Sequence, residues 1–330
     1  MQIFKKIFVV FVLGLMSMVF LTACDGKMQD GVYRAFKESL NYGAPQVTIV
    51  TVTVEDGKIV DYDIDQIQSH ADETQRSGYS FNAESKKELG YRYAMHFPDS
   101  GITGDINDEA VLNQYKEWLE ENDKLEWFEQ AELIEKYWLE KGIKNPDADG
   151  KFPYITGVSI IDNEYVAVAK QAVKNAKKGV TQVVTTNGSD LVWATVKIDK
   201  EGKLSEIKID TRQGSKGTDG KFVWNEKTKQ ELQYLYGMHF RDSGIQGELS
   251  DAEVLEEYKE WLEENDKLEW FQQVDALAAY VLENGLTGFT LEDGKIKQDN
   301  NTPNALAGIT VTASHYYEAI EQALEDLGLK

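Results

Sequence analysis

The chain of 330 residues has very few of the side chains that bind transition metals. It contains one cysteine, Cys24, and four histidines. A single thiol excludes an intrachain disulfide, an iron–sulfur cluster, cysteine-ligated zinc and the Cys-x-x-Cys-His attachment of haem. Four histidines cannot supply two conventional metal centres, so the sequence predicts no metal site. Any redox function of this protein must therefore use a cofactor that needs no cysteine.

Basic residues are scarce relative to acidic ones. Lysine and arginine total 35, aspartate and glutamate total 57, and the formal net charge is −22. Such an excess of negative charge argues against a nucleic-acid partner and against an electrostatic grip on anionic lipid. A solvated acidic surface that keeps the protein soluble is the simpler interpretation.

The longest apolar run lies near the first residue of the sequence. Two lysines precede the stretch from Ile7 to Phe20, and Leu21-Thr22-Ala23-Cys24 follows it. This order is typical of a secretory signal, and the run is short for a membrane span of about 20 residues. The cysteine resembles the lipobox of bacterial lipoproteins, in which the mature chain begins at a cysteine that carries fatty acids such as palmitate. We expect residues 1–23 to be the signal peptide and residues 24–28 to anchor the chain to the extracellular face of the membrane.

A long segment of the sequence occurs twice. The block from Met95 to Phe128 returns from Met238 to Phe271, 143 residues later, and the string KEWLEENDKLEWF is unchanged between the copies. A repeat of this length corresponds to a domain, because the modules of solenoid proteins are only about 20–50 residues long. The sequence therefore predicts two tandem homologous domains, residues 29–178 and residues 179–330.

Each copy combines strand patterns with helix patterns. Val47 to Val54 is rich in β-branched residues, and Val192 to Ile198 alternates apolar with polar residues; a glycine-containing turn follows each run, which predicts two hairpins. Ser250 and Glu253 have the spacing of a capping box before a run with helical periodicity. The predicted fold class is therefore α+β, with a sheet and packed helices in each domain.

Tryptophan and histidine occupy matched positions in the two copies. The tryptophans could form a platform for carbohydrate, but their helical spacing favours a place in the core. The histidines lie inside an apolar motif, where a hydrogen-bonded structural histidine is the more common arrangement. These matched residues are Trp118 and Trp261, Trp127 and Trp270, and His96 and His239.

Each copy closes with an apolar string that contains a glycine followed two residues later by a hydroxyl side chain. The strings are Tyr154 to Ser159 and Ala305 to Thr310, and an amphipathic helix pattern follows each. We expect a short strand, a turn and a helix. The glycine would let the backbone approach a phosphate closely, and the helix N-terminus would offer N–H groups to it.

These strings resemble the attachment motif of the FMN-binding domain family, and the whole chain resembles the flavinylated lipoproteins of Gram-positive extracellular electron transfer. The motif of the family is Asp-x-x-Ser/Thr-Gly-Ala-Thr, whose last threonine is esterified to the FMN phosphate by a flavin transferase. The matching segments are residues 153–159 and 304–310. They depart from the motif at Pro153 and Asn304, which replace Asp, at Val158 and Ile309, which replace Ala, and at Ser159, which replaces the acceptor Thr.

The resemblance implies up to two covalent FMN groups, attached through phosphoesters to Thr310 and Ser159. Gly308, Gly157 and Thr156 would form the rest of the cofactor-binding turns, while Thr156 and Thr312 are the alternative acceptors. The implied partners are the transferase, a membrane NADH dehydrogenase that donates through a quinone, and ferric iron or another extracellular acceptor. The protein would then transfer electrons and would not be a conventional enzyme.

Two other functions are compatible with a repeated lipoprotein. The paired domains could clasp a solute, or the repeats could form a cell-surface scaffold without a cofactor. No nucleophile with an adjacent base is evident, so hydrolase chemistry has no support from the sequence. Colour separates the alternatives, because only the flavoprotein would be yellow.

Overall fold

The computed structural model describes residues 27–299 and 301–330. The predicted signal peptide and the predicted lipidation site Cys24 lie outside the described residues. Within them, the fold mixes helices with curled antiparallel sheet, as the sequence predicts at this coarse level. None of the helices in the described ranges has the length and the apolar character that a membrane span requires.

The first half begins with a four-stranded antiparallel sheet. The strands follow one another in the order β1-β2-β3-β4. The hairpin predicted around Val47 to Val54 is confirmed, because Val50 pairs with Ile64 across it. The strands are β1 (Gly31–Asn41), β2 (Ala44–Glu55), β3 (Lys58–Ala71) and β4 (Tyr79–Phe81).

Helices follow the sheet and cover one of its faces. Two of them, α4 and α5, pack against β3 and against β1 and β2 respectively. A short 3₁₀ turn at Gly90–Tyr93 follows α1. The helices are α1 (Lys86–Leu89), α2 (Phe97–Ser100), α3 (Glu109–Glu121), α4 (Trp127–Lys141) and α5 (Tyr165–Ala176).

The second half repeats this order of elements and adds a two-stranded ribbon near its end. The second predicted hairpin is confirmed by the pairing of Ala194 with Ile209. Its strands are β5 (Val180–Asn187), β6 (Asp190–Ile198), β7 (Leu204–Arg212), β8 (Gly214–Lys216), β9 (Phe222–Trp224), β10 (Leu291–Glu292) and β11 (Lys295–Ile296). Its helices are α6 (Lys229–Leu232), α7 (Phe240–Ser243), α8 (Ala252–Glu264), α9 (Trp270–Asn284) and α10 (Ser314–Asp326).

The predicted cap of α8 is wrong by one residue. Asp251, not Ser250, is the N-cap, and its carboxylate accepts a hydrogen bond from the Glu253 amide at 2.9 Å. Ser250 belongs to the preceding turn, in which the Asp251 amide donates to the Glu248 carbonyl. Aspartate at this position satisfies an otherwise free N–H of the first helical turn and also interacts favourably with the helix dipole.

The matched tryptophans divide into two kinds. Trp127 and Trp270 are 2% exposed and lie in the core, as predicted. Trp118 and Trp261 are only half-buried, so their predicted core positions are wrong. They instead stack on the outer side of the buried tyrosines of α3 and α8, Tyr115 and Tyr258, with ring centroids 6.4 Å apart.

Both halves contribute to one continuous hydrophobic cluster. The edge strands β1 and β5 lie against each other, and the Arg34 amide donates to the Thr181 hydroxyl at 3.0 Å. The Arg34 guanidinium forms two hydrogen bonds with Asp326 at the end of α10, at 2.6 and 3.0 Å. The boundary after residue 178 falls between α5 and β5, but the interior does not divide there.

Candidate functional site

The two strings that end in a hydroxyl residue form turns. We call residues 153–160 and 304–311 the hydroxyl loops. The predicted short strand is wrong at both places, because successive amides bond back to carbonyls three residues earlier. Ile155 donates to Phe152 at 2.9 Å, and Leu306 donates to Pro303 at 2.8 Å. The backbone therefore curls and leaves both hydroxyl residues exposed.

A buried glutamine holds each hydroxyl loop. In the first half, the Gln130 side-chain oxygen accepts from the amides of Ser159 and Ile160 at 2.6 and 3.0 Å. In the second half, Gln273 accepts from the amides of Thr310 and Val311 at 2.7 and 3.1 Å. Both glutamines are 1% exposed. The two loops are therefore fixed by the same contacts, although Gln130 lies 29 residues before Ser159 and Gln273 lies 37 residues before Thr310.

The side-chain nitrogens of these glutamines are also satisfied. Gln130 donates to the Leu125 carbonyl at 2.8 Å, and Gln273 donates to the Leu268 carbonyl at 2.7 Å. Each amide thus joins the start of its helix to its hydroxyl loop. Neither glutamine belongs to a sequence motif of a known site, although a glutamine at the same core-facing position of both repeated helices is a signal for a buried polar contact.

The hydroxyl groups themselves are weakly engaged. Thr310 Oγ1 lies 3.4 Å from the Gln273 oxygen, and Ser159 Oγ lies 3.1 Å from the Gln130 oxygen. Both side chains face solvent and could be esterified without breaking a buried contact. The alternative acceptors Thr156 and Thr312 are exposed as well.

The glycines of the two loops have left-handed backbones. Gly157 has φ +88° and Gly308 has φ +81°, a conformation that other residues adopt rarely. A side chain at Gly157 would press on Leu125 and Leu133 at 3.2 Å, whereas the space beside Gly308 is open. Glycine is thus needed for backbone geometry in both loops, and the second loop also leaves room for a ligand.

A helix N-terminus does not follow either hydroxyl directly, contrary to the expected arrangement. The helix α5 begins six residues after Ser159, and the Asp162 carboxylate already accepts from the Val166 amide at 3.1 Å. Burial raises the pKa of Asp162. The helix α10 begins four residues after Thr310. The helix dipole therefore cannot be the main partner of a phosphate at Ser159.

A groove of about 650 Å³ runs beside the second hydroxyl loop. Gly308, Ala307 and Tyr234 are among its lining residues, and the Lys259 ammonium lies over the Tyr234 ring, 5.4 Å from its centroid. A flat aromatic surface with a nearby cation suits a planar, electron-poor ring system. Its charged lining comprises Lys259, Lys267, Glu256, Glu260, Glu263 and Asp266.

Matched buried carboxylates order the segment before α4 and the segment before α9. Glu126 and Glu269 are fully buried, and each accepts from a tyrosine hydroxyl, that of Tyr115 or Tyr258. Burial is the main cause that raises the pKa of each tyrosine. The tyrosine hydroxyls in turn accept from the amides of His96 and His239, both at 3.0 Å.

Of the two matched histidines, His96 has an acidic side chain near its ring. The His96 ring lies 3.9 Å from the Asp99 carboxylate, one turn along α2. It is the His96 backbone, through Tyr115, that ties this segment to the core. Among residues 27–299 and 301–330, no group of three or more histidine, aspartate or glutamate side chains is placed to hold a metal ion.

A lysine packs under each core tryptophan. The Lys86 ammonium lies 5.1 Å from the Trp127 ring and 4.7 Å from the Tyr93 ring, and it donates to Gln66 at 2.8 Å. Burial lowers the pKa of Lys86 to about 8, although the Asp65 carboxylate acts in the opposite direction. The second half repeats this arrangement, with the Lys229 ammonium over the rings of Trp270 and Tyr236.

Comparisons with known proteins leave the family open. No family model matches the chain, and no curated protein matches it. A solution NMR structure of a protein from Clostridium thermocellum is 27% identical over 46% of this chain and 94% of its own, with a TM-score of 0.26. A TM-score of this size supports no conclusion about a shared fold. The function proposed for this chain therefore depends on its own residues.

Proposed function

We propose that this chain is a lipid-anchored flavoprotein that relays electrons from a membrane donor to extracellular acceptors. In this proposal its halves are two FMN-binding-type domains, residues 29–178 and 179–330, with Thr310 and Ser159 as attachment points. Cys24 would carry the lipid. The observation that supports the proposal most directly is the pair of exposed hydroxyl groups on matched loops, each held by a buried glutamine.

The second hydroxyl loop fits a covalently attached flavin nucleotide. Thr310 is exposed, Gly308 leaves open space two residues earlier, and the groove beside them is about 650 Å³ in volume. Lys259 and Lys267 are the cations that would face a phosphate, although four carboxylates line the same groove and Lys259 already pairs with Glu256 at 3.2 Å. Tyr234 would offer a ring face to the flavin. When bound, FMN would supply the transfer of one or two electrons, for which these side chains alone have no group.

The first hydroxyl loop offers the same attachment geometry with a different surrounding. Ser159 is exposed and Gly157 has the same left-handed backbone, but Leu125 and Leu133 fill the space beside that glycine. The counterparts of Lys259 and Tyr234 are Lys116 and Tyr91, whose ammonium and ring centroid lie 5.0 Å apart. We place one flavin on Thr310 and a second on Ser159.

A membrane-bound quinone and NADH dehydrogenase system is the proposed donor, and ferric iron or another soluble oxidant is the proposed acceptor. A covalent phosphoester suits a protein outside the cell, because a dissociated cofactor would diffuse away. A flavin transferase must then supply the FMN. None of these partners needs a basic nucleic-acid-binding surface, which agrees with the acidic composition of the chain.

The proposal is tested by counting flavins on the protein purified from its own host. Intact mass and visible absorbance should show FMN on the native chain. Thr310→Ala should remove one flavin and Ser159→Ala the other, while Thr312→Ala and Thr156→Ala serve as matched controls that retain both. Circular dichroism would verify that each variant is folded.

The possible outcomes distinguish the alternatives. A yellow double variant Thr310→Ala/Ser159→Ala would contradict the assignment of the acceptors, and peptide mapping would then locate the flavin. A colourless native protein would contradict the flavoprotein and leave the solute-binding and scaffold functions. Loss of flavin at Thr310 alone would restrict the relay to one working site.

A further inference from the structure

Five separate segments of the chain meet at one end of the molecule. The Gly57 amide donates to the Asp30 carboxylate at 2.9 Å, and the Gln29 side chain donates to the Asp199 carbonyl at 2.8 Å. Leu327, just beyond α10, lines the same surface depression as residues 27–30, and Gly179 lies beside Gln29. We call this the proximal end; it comprises residues 27–30, 55–58, 177–179, 199–203 and 327–330.

Lysine is concentrated at the proximal end. Its five segments contain seven lysines and five acidic side chains, whereas the whole chain has 35 basic and 57 acidic residues. Two of the five acids accept hydrogen bonds within this end, Asp30 from the Gly57 amide and Asp199 from the amides of Glu201 and Lys203. All seven lysines are exposed: Lys27, Lys58, Lys177, Lys178, Lys200, Lys203 and Lys330.

The hydroxyl loops lie at the opposite end. The helix α10 runs from Ser314, four residues after Thr310, to Asp326, whose carbonyl lies next to Gly31. Thirteen helical residues span about 20 Å. In the first half, the Asn163 carbonyl accepts from the Thr48 hydroxyl, and the seven residues of β2 from there to the proximal end span about 23 Å.

The predicted lipid anchor brings the proximal end to the bilayer. Only two residues lie between Cys24 and Lys27, and the three Cα–Cα steps from one to the other span at most about 11 Å even when fully extended. Whatever conformation these residues adopt, Lys27 must lie within about that distance of a lipid-modified Cys24. The Lys27 side chain in turn lies directly over Gly57, so the β2–β3 turn follows it to the membrane.

We propose that the proximal end is a docking surface for a bilayer containing anionic lipid, and that it holds the hydroxyl loops away from the membrane. Lysines within a Debye length of an anionic surface are attracted to it, while the net negative charge of the rest of the chain is repelled. The total charge predicts repulsion from an anionic bilayer, whereas the local excess of lysine at the proximal end favours attraction to it. The inference rests on the lipid anchor of the proposed function but not on the flavin.

This orientation assigns different partners to the two ends. The loops with Thr310 and Ser159 would face the extracellular medium, so a soluble acceptor could reach them without crossing the lipid headgroups. A donor confined to the bilayer could reach them only by extending roughly 20 Å above the headgroups, by the helix length given above. The orientation therefore favours a donor with its own extracellular segment over direct contact with a quinone.

The orientation can be measured with single fluorescent labels on the flavin-free full chain. Once Cys24 is lipidated, an introduced cysteine is the only free thiol of the protein. Glu201→Cys places a label at the proximal end, and Ala307→Cys places one on the second hydroxyl loop; both positions are exposed. With a quencher on the lipid headgroups of phosphatidylglycerol-containing vesicles, quenching at 201 should exceed quenching at 307 several-fold.

Charge reversal tests whether the lysines cause this orientation. The triple variant Lys178→Glu/Lys200→Glu/Lys203→Glu should bring the two labels to similar quenching on anionic vesicles. A matched control reverses three exposed lysines near the loops and groove and should preserve the difference: Lys124→Glu/Lys151→Glu/Lys267→Glu. Equal quenching of both labels in the unaltered protein would overturn the proposal. It would also be overturned if the label at 201 were still quenched more than the label at 307 in the Lys178→Glu/Lys200→Glu/Lys203→Glu variant.

Failure of the proposed function would be recognised separately. Loss of FMN does not affect the label measurement, because the labelled protein is prepared without flavin. If mass analysis shows no lipid on Cys24, the Cys24→Ser chain with a hexahistidine tag in place of residues 1–23 can be held on nickel-chelating lipid. The same difference between labels 201 and 307 is then expected, and its absence would contradict the docking surface.

Discussion

In the first half, Lys86 donates to the Gln66 side chain at 2.8 Å, and Gln66 also donates to Thr48 at 2.7 Å. In the second half, Thr211 has the position of Gln66, and its buried hydroxyl has no hydrogen-bond partner. Both residues follow an aspartate that accepts their own amide, Asp65 or Asp210, which establishes the equivalence. The polar network beneath the first helix has therefore been retained in one half only.

A second difference lies beside it in the same layer. Glu135 is buried in the first half, where it accepts from the Ile64 amide and from Lys87, at 2.6 and 2.8 Å. Burial raises the pKa of Glu135 to about 7, in spite of the opposing effect of Lys87. The second half has Ala278 and Gln230 at these places. Charges in the interior of one half are thus replaced by neutral groups in the other.

The hydroxyl loops do not show this divergence. Their glycines, their exposed hydroxyls and the glutamines beneath them are the same in geometry in both halves. An interior network can change at a cost of about 1–3 kcal/mol for each buried polar group that is left without a partner, as the Thr211 hydroxyl is. The loop contacts are therefore matched between the halves, whereas Gln66 and Glu135 have no counterparts in the second half.

Separating the halves tests the comparison most severely. We expect neither residues 29–178 nor residues 179–330 to unfold cooperatively when expressed alone, because both helices α5 and α10 pack against strands of both sheets. The loss would approach the whole stability of a typical domain, about 5–15 kcal/mol. Thermal and urea unfolding followed by circular dichroism measure it.

Mixing the two fragments provides the control for that experiment. The mixture should recover a cooperative transition, since the Arg34–Asp326 pair and the β1–β5 contact can re-form between separate chains. A fragment that melts alone at the midpoint of the full chain would show that each repeat folds independently, as its length suggested. The comparison would then concern two domains and not two halves of one core.

Removal of the buried carboxylates should reveal a smaller difference between the halves. Glu126 and Glu269 each accept from a tyrosine hydroxyl and from the amides of the first and third residues of their own helix, and Glu126 accepts in addition from the Met95 amide. Each orphaned buried donor costs about 1–3 kcal/mol. We expect Glu126→Ala to lower the free energy of unfolding by about 3–5 kcal/mol and Glu269→Ala by about 1 kcal/mol less.

Urea titrations of the full chain would measure both values. The matched controls are Tyr115→Phe and Tyr258→Phe, which each remove one hydroxyl. These two variants should lower the free energy of unfolding by amounts similar to each other. A larger loss from Glu269→Ala than from Glu126→Ala would contradict the additional hydrogen bond from Met95.

The sequence predicted the parts of this architecture that depend on nearby residues. The β-branched pattern located both hairpins, and the repeat placed Ser159 and Thr310 at equivalent positions. The strands expected before these residues are absent because short-range hydrogen bonds curl the chain there. The contact of Arg34 with Asp326 joins residues 292 apart, and no local pattern indicates it. The lysine-rich proximal end is likewise visible only after folding brings five segments together.

The smallest expected effect is a pH dependence that belongs mainly to the first half. Because burial lowers the pKa of Lys86 to about 8, the unfolded chain binds more protons than the folded chain between about pH 8 and 10.5. The free energy of unfolding therefore rises as the pH increases through this window. Below the window Lys86 is charged in the folded protein, and the full cost of burying that charge is present. Relative to Lys86→Met, the unaltered protein should gain on the order of 2 kcal/mol from pH 7.5 to 10.5.

The matched variant Lys229→Met sharpens this test. Burial lowers the pKa of Lys229 as well, but its side chain is only half-buried, so the corresponding gain should be smaller. Among the groups around Lys86, burial raises the pKa values of Tyr93 and Tyr165 above their usual 10, and burial also raises the pKa of the Asp65 carboxyl. Subtracting the free energy of unfolding of the variant from that of the unaltered protein at each pH removes the contribution of these neighbouring groups, which both proteins share. Equal slopes for both lysines would show that the polar network around Gln66 does not distinguish the two halves, whereas a flat difference for Lys86 would show that this ammonium is hydrated in the folded protein.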